Sequence, residues 1–212
     1  MVDEKQLPRD VQQLLDAARA QVLAHESNDL PRPTRIQLQL ALGPHLKSPH
    51  EPPFAVLGVG LSRRTSLCVS VVEKVAPIWE RTYPDVPAVE DMIRLARQRL
   101  REEITPDEAL DGRSRLVGVL QNHIDEPEEN QPGMAAGEAA AQAVFAAVYD
   151  ENVESPQSLD DDLDATQWDC AFWGACAWSG AIPGQDGWNQ EAYKEYWLWY
   201  LDEAIPEAWA SA

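Results

Sequence analysis

The sequence predicts an all-α protein that folds as a single globular bundle of about six to eight helices. Apolar residues recur at helical spacing through most of the 212 residues, and 44% of the chain is hydrophobic, which is enough to bury a core. One segment, Ile36 to Leu42, alternates as a strand would, but the chain offers no second strand with which it could pair. We therefore expect helices throughout and no sheet.

Residues 1–53 are expected to form an N-terminal helical extension that ends in a proline-rich linker. Residues 54–212 are expected to form a helical domain with an acidic second half. A first helix starts at Pro8 and reaches about His25, because its apolar residues keep helical spacing. The prolines of "NDLPRP" end it, and "TRIQLQLALGPHLKS" is expected to add a short helix. The stretch "SPHEPPF" has the composition of a linker.

Three helices are predicted in the central region. The first runs from about Arg63 to Tyr83, with Ser62 as its N-cap. The second lies in "VEDMIRLARQRLREE", whose apolar residues face inward while its arginines form an outer ridge. The third opens with a capping box, in which Thr105 and Glu108 satisfy each other's backbone N–H groups.

The second half of the chain is expected to add three further helices. The first is alanine-rich, in "GMAAGEAAAQAVFAAVYDEN", and Asp164 with Gln167 can cap the second. In the last, "EAYKEYWLWYLDEAIPEAW", the spacing predicts one buried stripe made of Tyr193, Tyr196, Trp197, Tyr200, Leu201 and Ala204. Trp199 lies roughly 200° from Trp197 at about 100° per residue, among acidic residues. Its ring therefore needs an explanation other than core packing.

The net charge of −19 is concentrated in the second half of the chain. Residues 1–115 hold 16 basic and 17 acidic residues, whereas residues 116–212 hold one basic residue, Lys194, and 19 acidic ones. Such a field repels nucleic acid and anionic membranes and steers cationic partners toward the acidic half. The alternative is that these charges only keep the surface solvated. The asymmetry favours a basic partner.

The residues that bind metals or form disulfides show no pattern typical of either. Cys68, Cys170 and Cys176 lie in apolar segments and form no CxxC, so we interpret them as small buried hydrophobes in a reducing cytosol. The four histidines have no ligand spacing. The polar N-terminus has no apolar region typical of a signal peptide, which favours a cytoplasmic location. We expect no metal, no cofactor and no membrane partner.

Two further patterns are weak matches to known sites. In "VLGVGLSRR", the third glycine and the following acidic residue of a dinucleotide fold are missing, so a helix N-terminus is favoured. In "DDDLDATQWD", Asp160, Asp162 and Asp164 have calcium-loop spacing. However, Ala165 stands where glycine must turn the loop and Ala171 where a glutamate must close it. A solvated acidic loop is the better interpretation. No hydrolase or protease signature is present.

The central region resembles a known family. An apolar helix bears a cysteine and ends in "PIWE", a "PDVP" turn follows, and then come an arginine-bearing helix, a capped helix and the alanine-rich "GMAAGEAAAQAVFAAVYDE". This order of parts, over about residues 62–150 and more weakly in the aromatic tail, is similar to the all-helical bacterial immunity proteins numbered fifth among the immunity families. The resemblance implies a non-enzymatic protein that neutralises a toxin encoded beside it, often a toxin that acts on nucleic acid.

Charge and resemblance together favour a basic toxin domain as the partner. We expect the contact to centre on the acidic loop, because it concentrates four charges in five residues and because aromatic residues beside charge often anchor interfaces. The expected contact residues are Asp160, Asp161, Asp162, Asp164 and Trp168, with Trp199 as a lesser candidate. The chief alternative is an acidic helical adaptor or scaffold without a toxin partner, and an enzyme with an unfamiliar site is a third, less favoured class.

Overall fold

The structure, a computed structural model, describes residues 7–48, 54–122, 131–150 and 158–211. These residues form α1 (Arg9–Ala24), α2 (Arg32–Ala41), α3 (Val59–Thr82), α4 (Ala88–Leu100), α5 (Pro106–Asn122), α6 (Gln131–Tyr149), α7 (Cys170–Ser179), α8 (Gln190–Trp199) and α9 (Ile205–Ala210). A π-helical turn, Tyr200–Ala204, joins α8 to α9 without a break. Apart from one isolated bridge between Lys47 and Ala55, the described residues contain no β-pairing. The predicted all-α class is confirmed.

Alanine-rich α6 lies at the centre of the bundle and packs against α3, α4, α5 and α7. Its small side chains are the reason, because they let four neighbours approach one helix closely. At Gly137, an added Cβ would come within 2.8 Å of the Trp79 ring and 2.5 Å of Leu120. Gly174 of α7 is similarly close to Val71 and to the Tyr196 hydroxyl. Leucines in place of these residues would push the helices apart.

The segment that alternates like a strand, Ile36 to Leu42, is helical, as expected. Ile36, Leu38 and Leu42 are buried, whereas Leu40 is 44% exposed. The predicted linker around residues 48–54 and the loop around 125–132 lie largely outside the described residues. None of the helices in the described ranges is long and apolar enough to cross a lipid bilayer.

Two of the three predicted helix caps are corrected. The Thr105–Glu108 capping box is present, with the Thr105 N–H donating to Glu108 at 2.7 Å. The Ser62 cap is wrong, because α3 begins one turn earlier, after Gly58. Asp164 and Gln167 cap a short 3-10 turn rather than α7, which Asp169 caps through the Phe172 N–H at 2.8 Å. The first error assumed a side-chain cap where α3 begins after a glycine with none, and the second chose the wrong one of two nearby aspartates.

The aromatic stripe of α8 is buried as predicted. Trp197 and its stripe neighbours are at most 1% exposed, and they continue through the π-helical turn. This turn lies directly before Pro206, which has no N–H to donate to the turn before it. Trp199 is not fully exposed but partly buried: the Lys74 ammonium lies 4.9 Å from its ring centroid and 4.4 Å from that of Trp178. The ring also packs partly against the core, with its centroid 5.5 Å from that of Tyr196, so core packing and the cation–π contact together explain its position.

The helices of the first 53 residues share the core of the remainder. Leu15, Ala18 and Val22 of α1 and Leu38 of α2 belong to the same buried cluster as the aromatic residues of α8. At the surface, the Arg19 guanidinium forms an ion pair with the Asp202 carboxylate. The first two helices therefore lie against the last ones.

Removing the two tryptophans of α8 should have unequal effects on stability. Trp197→Ala should lower the free energy of unfolding by about 3–5 kcal/mol, because it removes a large aromatic side chain that is wholly buried. Trp199→Ala should cost about 1–2 kcal/mol, because it removes partial burial and a cation–π contact. Urea unfolding followed by circular dichroism measures both values. Equal losses would show that the two rings are equally buried.

Candidate functional site

The acidic segment is a formed element with both buried and exposed carboxylates. Asp160–Asp162 make a 3-10 turn, and Asp164 begins a second such turn at Ala165–Gln167. Asp161, Asp162 and Asp164 are exposed, and none forms an ion pair with a residue that the structure describes. Asp160 is only 7% exposed. The expectation that all four aspartates belong to a solvated loop is therefore wrong for Asp160.

Asp160 is buried because it pairs with Arg35, which is 0% exposed. The two side chains meet bidentately, with Nη2 to Oδ1 at 2.6 Å and Nη1 to Oδ2 at 3.0 Å. The same guanidinium donates to Asp169 at 2.9 Å and to the Leu30 carbonyl at 2.8 Å. Each of its nitrogens thus has an acceptor. Planar bidentate pairing of this kind is specific to arginine.

The surroundings of Arg35 stabilise the protonated, positively charged form of its guanidinium. Burial alone lowers the pKa of its guanidinium, but the charges of Asp169 and Asp160 outweigh burial and raise the pKa well above its ordinary value. The rings of Phe172 and Trp197 lie with their centroids 5.4 Å from the guanidinium carbon. Arg35 is therefore a permanent cation between two carboxylates and two aromatic rings.

A second buried arginine, Arg64 at the start of α3, holds the end of α6. Its guanidinium binds the Asp150 carboxylate bidentately at 2.6 and 2.7 Å. It also donates to the carbonyls of Gly43 and Pro44, each at 2.8 Å. His45 Nδ1 lies 2.8 Å from the same carboxylate. Asp150 has a positive φ of 67°, a conformation that this pairing supports.

These pairs change how the charge asymmetry is interpreted. Three acidic residues of the second half, Asp150, Asp160 and Asp169, are neutralised by arginines of the first half, and none of the three is exposed. A further one, Asp202, pairs with Arg19 at the surface. Part of the sequence asymmetry is thus internal pairing, and the outward field comes from the acidic residues that remain exposed.

The two 3-10 turns from Asp160 to Gln167 are together called the acidic turn below. Trp168 and Trp199 occupy different positions relative to it. The half-buried Trp168 indole donates to the Asp160 carbonyl at 3.0 Å, and its ring centroid lies 4.9 Å from those of both Phe172 and Trp173. It lies against the turn and anchors it. Trp199 contacts Tyr196 and Lys74 instead, and no contact with the turn is seen in the described part of the chain.

The other candidate residues are structural. The three cysteines are buried and form no disulfide with one another, and burial raises the pKa of the Cys176 thiol. Gly58 and Gly60 lie at the start of α3, where an added Cβ on Gly60 would come within 2.2 Å of the Pro44 carbonyl oxygen. In the four described ranges, no group of three or more histidine, cysteine, aspartate or glutamate residues is placed to hold a metal ion.

Sequence reasoning missed both arginine clusters. Arg35 and Asp160 are 125 residues apart, so no local spacing connects them. The available signal was the position of Arg35, which lies on the same buried face of α2 as apolar residues such as Leu38. An arginine at such a position indicates a buried acidic partner, although it does not identify which one.

Comparison with known families assigns the chain to an immunity-protein family. The family described as "Immunity protein Imm5" matches residues 15–207, which is nearly the whole chain and extends well beyond the region that carries the resemblance. No curated protein matches the sequence.

The neighbouring aspartates of the turn should differ sharply in their contribution to stability. Asp160→Ala should lower the free energy of unfolding by about 3–5 kcal/mol, because it leaves the buried Arg35 with one carboxylate instead of two. Asp161→Ala should change it by less than about 0.5 kcal/mol, as exposed substitutions usually do. Parallel guanidinium unfolding curves would test this. A small effect of Asp160→Ala would refute the buried pair.

Proposed function

We propose that the chain, which belongs to the Imm5 family of immunity proteins, binds a cognate bacterial toxin and neutralises it without catalysis of its own. The family match is the single observation that carries this proposal. The partner is a basic toxin domain that acts on nucleic acid, and the encounter takes place in the cytoplasm of the cell that makes both proteins. Neither nucleic acid nor a membrane is a partner of this acidic protein.

Electrostatics supports a basic partner. Nucleic-acid-targeting enzymes need a cationic surface to hold a phosphate backbone, and such a surface attracts exposed carboxylates. Residues 116–212 contain a single basic side chain, Lys194, and it already pairs with Glu191 at 3.0 Å. An inhibitor with this surface gains association rate through steering and covers the cleft that the toxin needs.

The proposed contact centres on the exposed carboxylates of the acidic turn. Asp161, Asp162 and Asp164 are free to accept hydrogen bonds from arginine or lysine side chains of the toxin. The Arg35 pair and the Trp168 indole hold the turn in place from behind. Asp160 is therefore not a contact residue itself, but its buried pair with Arg35 fixes the position of the exposed carboxylates. Trp199 remains a lesser candidate at a separate position.

An acidic adaptor or scaffold without a toxin partner is the competing function. The same exposed carboxylates would serve it, so charge alone does not separate the two. The discriminating observation is protection: a toxin encoded beside this gene should kill cells that lack the protein and spare cells that produce it. Failure to protect against that toxin would contradict the proposed function.

Neutralising the three exposed aspartates should slow association with the toxin. In the triple variant Asp161→Asn, Asp162→Asn, Asp164→Asn, we expect an association rate reduced about tenfold at low salt and a flatter salt dependence, because rim charges act mainly on steering. Stopped-flow mixing with a catalytically inactive toxin domain across salt concentrations measures both. Thermal stability should hold, since asparagine also serves as an N-cap at position 164.

The matched control changes the same amount of charge elsewhere. Glu195, Glu203 and Glu207 are exposed residues of the last helical segment, and converting all three to glutamine gives an equal net charge. This control should keep most of the association rate. If both variants slow association equally, net charge alone governs the encounter and the acidic turn is not the contact.

A further inference from the structure

A large cavity lies beside the acidic turn, between α5, α6 and the end of α7. Its volume is about 730 Å³, within the range of sites that bind sizeable ligands. Its apolar lining comes from Val117 and Leu120 of α5, Met134 and Ala135 of α6, Trp173 of α7, and Ile182 after α7. A partner that buried apolar side chains in a cavity of this size would gain free energy from the hydrophobic effect.

The edge of the cavity is rich in amide groups. Gln121, Gln131, Gln142 and Gln185 all line it. An amide offers two donors and a carbonyl acceptor, a combination that suits the backbone of a peptide segment. A site for an entirely apolar molecule would not need such an edge.

The two charged residues of the lining oppose each other. Burial raises the pKa of Glu138 and lowers that of Arg113, and each charge partly offsets the shift of the other. The Arg113 guanidinium is held against the wall, where it donates to the Ala141 carbonyl at 3.0 Å and lies 5.4 Å from the Phe145 ring centroid. With one charge of each sign, the interior favours an apolar occupant over a charged one.

The cavity and the acidic turn are adjacent. Thr166 lines the cavity, and its N–H and hydroxyl donate to the Asp164 carboxylate at 3.0 and 2.9 Å. The Gln142 amide donates to the Thr166 carbonyl at 3.4 Å, which connects α6 with the turn. Trp173, a lining residue, packs against Trp168 of the turn. The apolar cavity therefore has an acidic rim on this side.

We infer that the cavity receives an apolar anchor segment of the toxin, flanked by basic residues that contact the acidic rim. This inference rests on the proposed function and identifies the surface that carries it out. The rim selects a partner whose charge is opposite to its own, and the interior selects apolar side chains. Deeply seated apolar anchors dominate the energy of most tight interfaces, and charges at the rim add mainly rate and specificity.

Filling the cavity should weaken toxin binding. Val117→Phe places an aromatic ring in the cavity, and we expect at least about a tenfold rise in Kd, through faster dissociation, because the anchor segment is displaced. The binding partner is the catalytically inactive toxin domain, and calorimetry gives Kd. The dye ANS, which binds exposed apolar cavities, is the second probe. Wild-type protein should bind ANS, toxin should displace it, and Val117→Phe should remove ANS binding.

The matched control is the same substitution on the other side of the same helix. Val119 lines a smaller groove of about 270 Å³ between α4 and α5, so Val119→Phe should leave toxin binding within about twofold of wild type. If Val117→Phe lowers the melting temperature, Ile182→Trp fills the cavity from its loop side and replaces it.

The outcomes separate the inference from the proposed function. A variant that loses ANS binding but binds toxin as wild type does would overturn the inference, and the protein would remain a toxin inhibitor with a contact elsewhere. ANS that toxin does not displace from the wild-type protein would also overturn it and indicate a small-molecule site. Wild-type protein that fails to bind the toxin at all would refute the proposed function itself.

Discussion

The buried Arg35 guanidinium is the constraint on which the candidate surface depends. It joins three segments that are far apart in the sequence: α2, the 3-10 turn at Asp160 and the N-terminus of α7 at Asp169. Removing a cation from water costs several kcal/mol, and only well-placed acceptors offset that cost. The acidic turn must therefore remain against α2 for the charge to be tolerated. A segment that composition alone describes as solvated is thereby fixed to the core.

Arg64 applies the same principle at another position. It binds Asp150 at the end of α6 and the carbonyls of Gly43 and Pro44 after α2, so it links the start of α3 with residues on both sides of it in sequence. Both arginines belong to the first 64 residues, and their three acidic partners, Asp150, Asp160 and Asp169, all lie at residue 150 or later. Arginines of the first half and aspartates of the acidic second half thus meet inside the protein. The exposed carboxylates remain outside, among them Asp161, Asp162 and Asp164, which form no ion pair with a residue that the structure describes.

The parts of the structure that follow from local spacing could be predicted, and those that follow from long-range pairing could not. The Thr105–Glu108 box and the aromatic stripe of α8 depend on residues three or four positions apart, and both are present. Asp160 and Asp161 are identical neighbours with opposite burial, because only one of them faces an arginine 125 residues away. Trp199 likewise packs on a lysine of α3 that no helical phase indicates. The adjacent cavity has no sequence signal, because it depends on how α5, α6 and α7 are placed relative to one another.

The turn and the cavity beside it suggest how an inhibitor of this kind divides its tasks. Exposed carboxylates on a mobile loop would attract a basic partner, but ordering the loop would then subtract from affinity. Here the Arg35 pair and the Trp168 hydrogen bond have already ordered the acidic turn. The conformational entropy of this segment is therefore lost during folding and not during binding. In the proposed complex, charges at the rim would accelerate the encounter, and apolar burial in the cavity would slow dissociation. An immunity protein needs both properties, because free toxin must be captured quickly and must not be released.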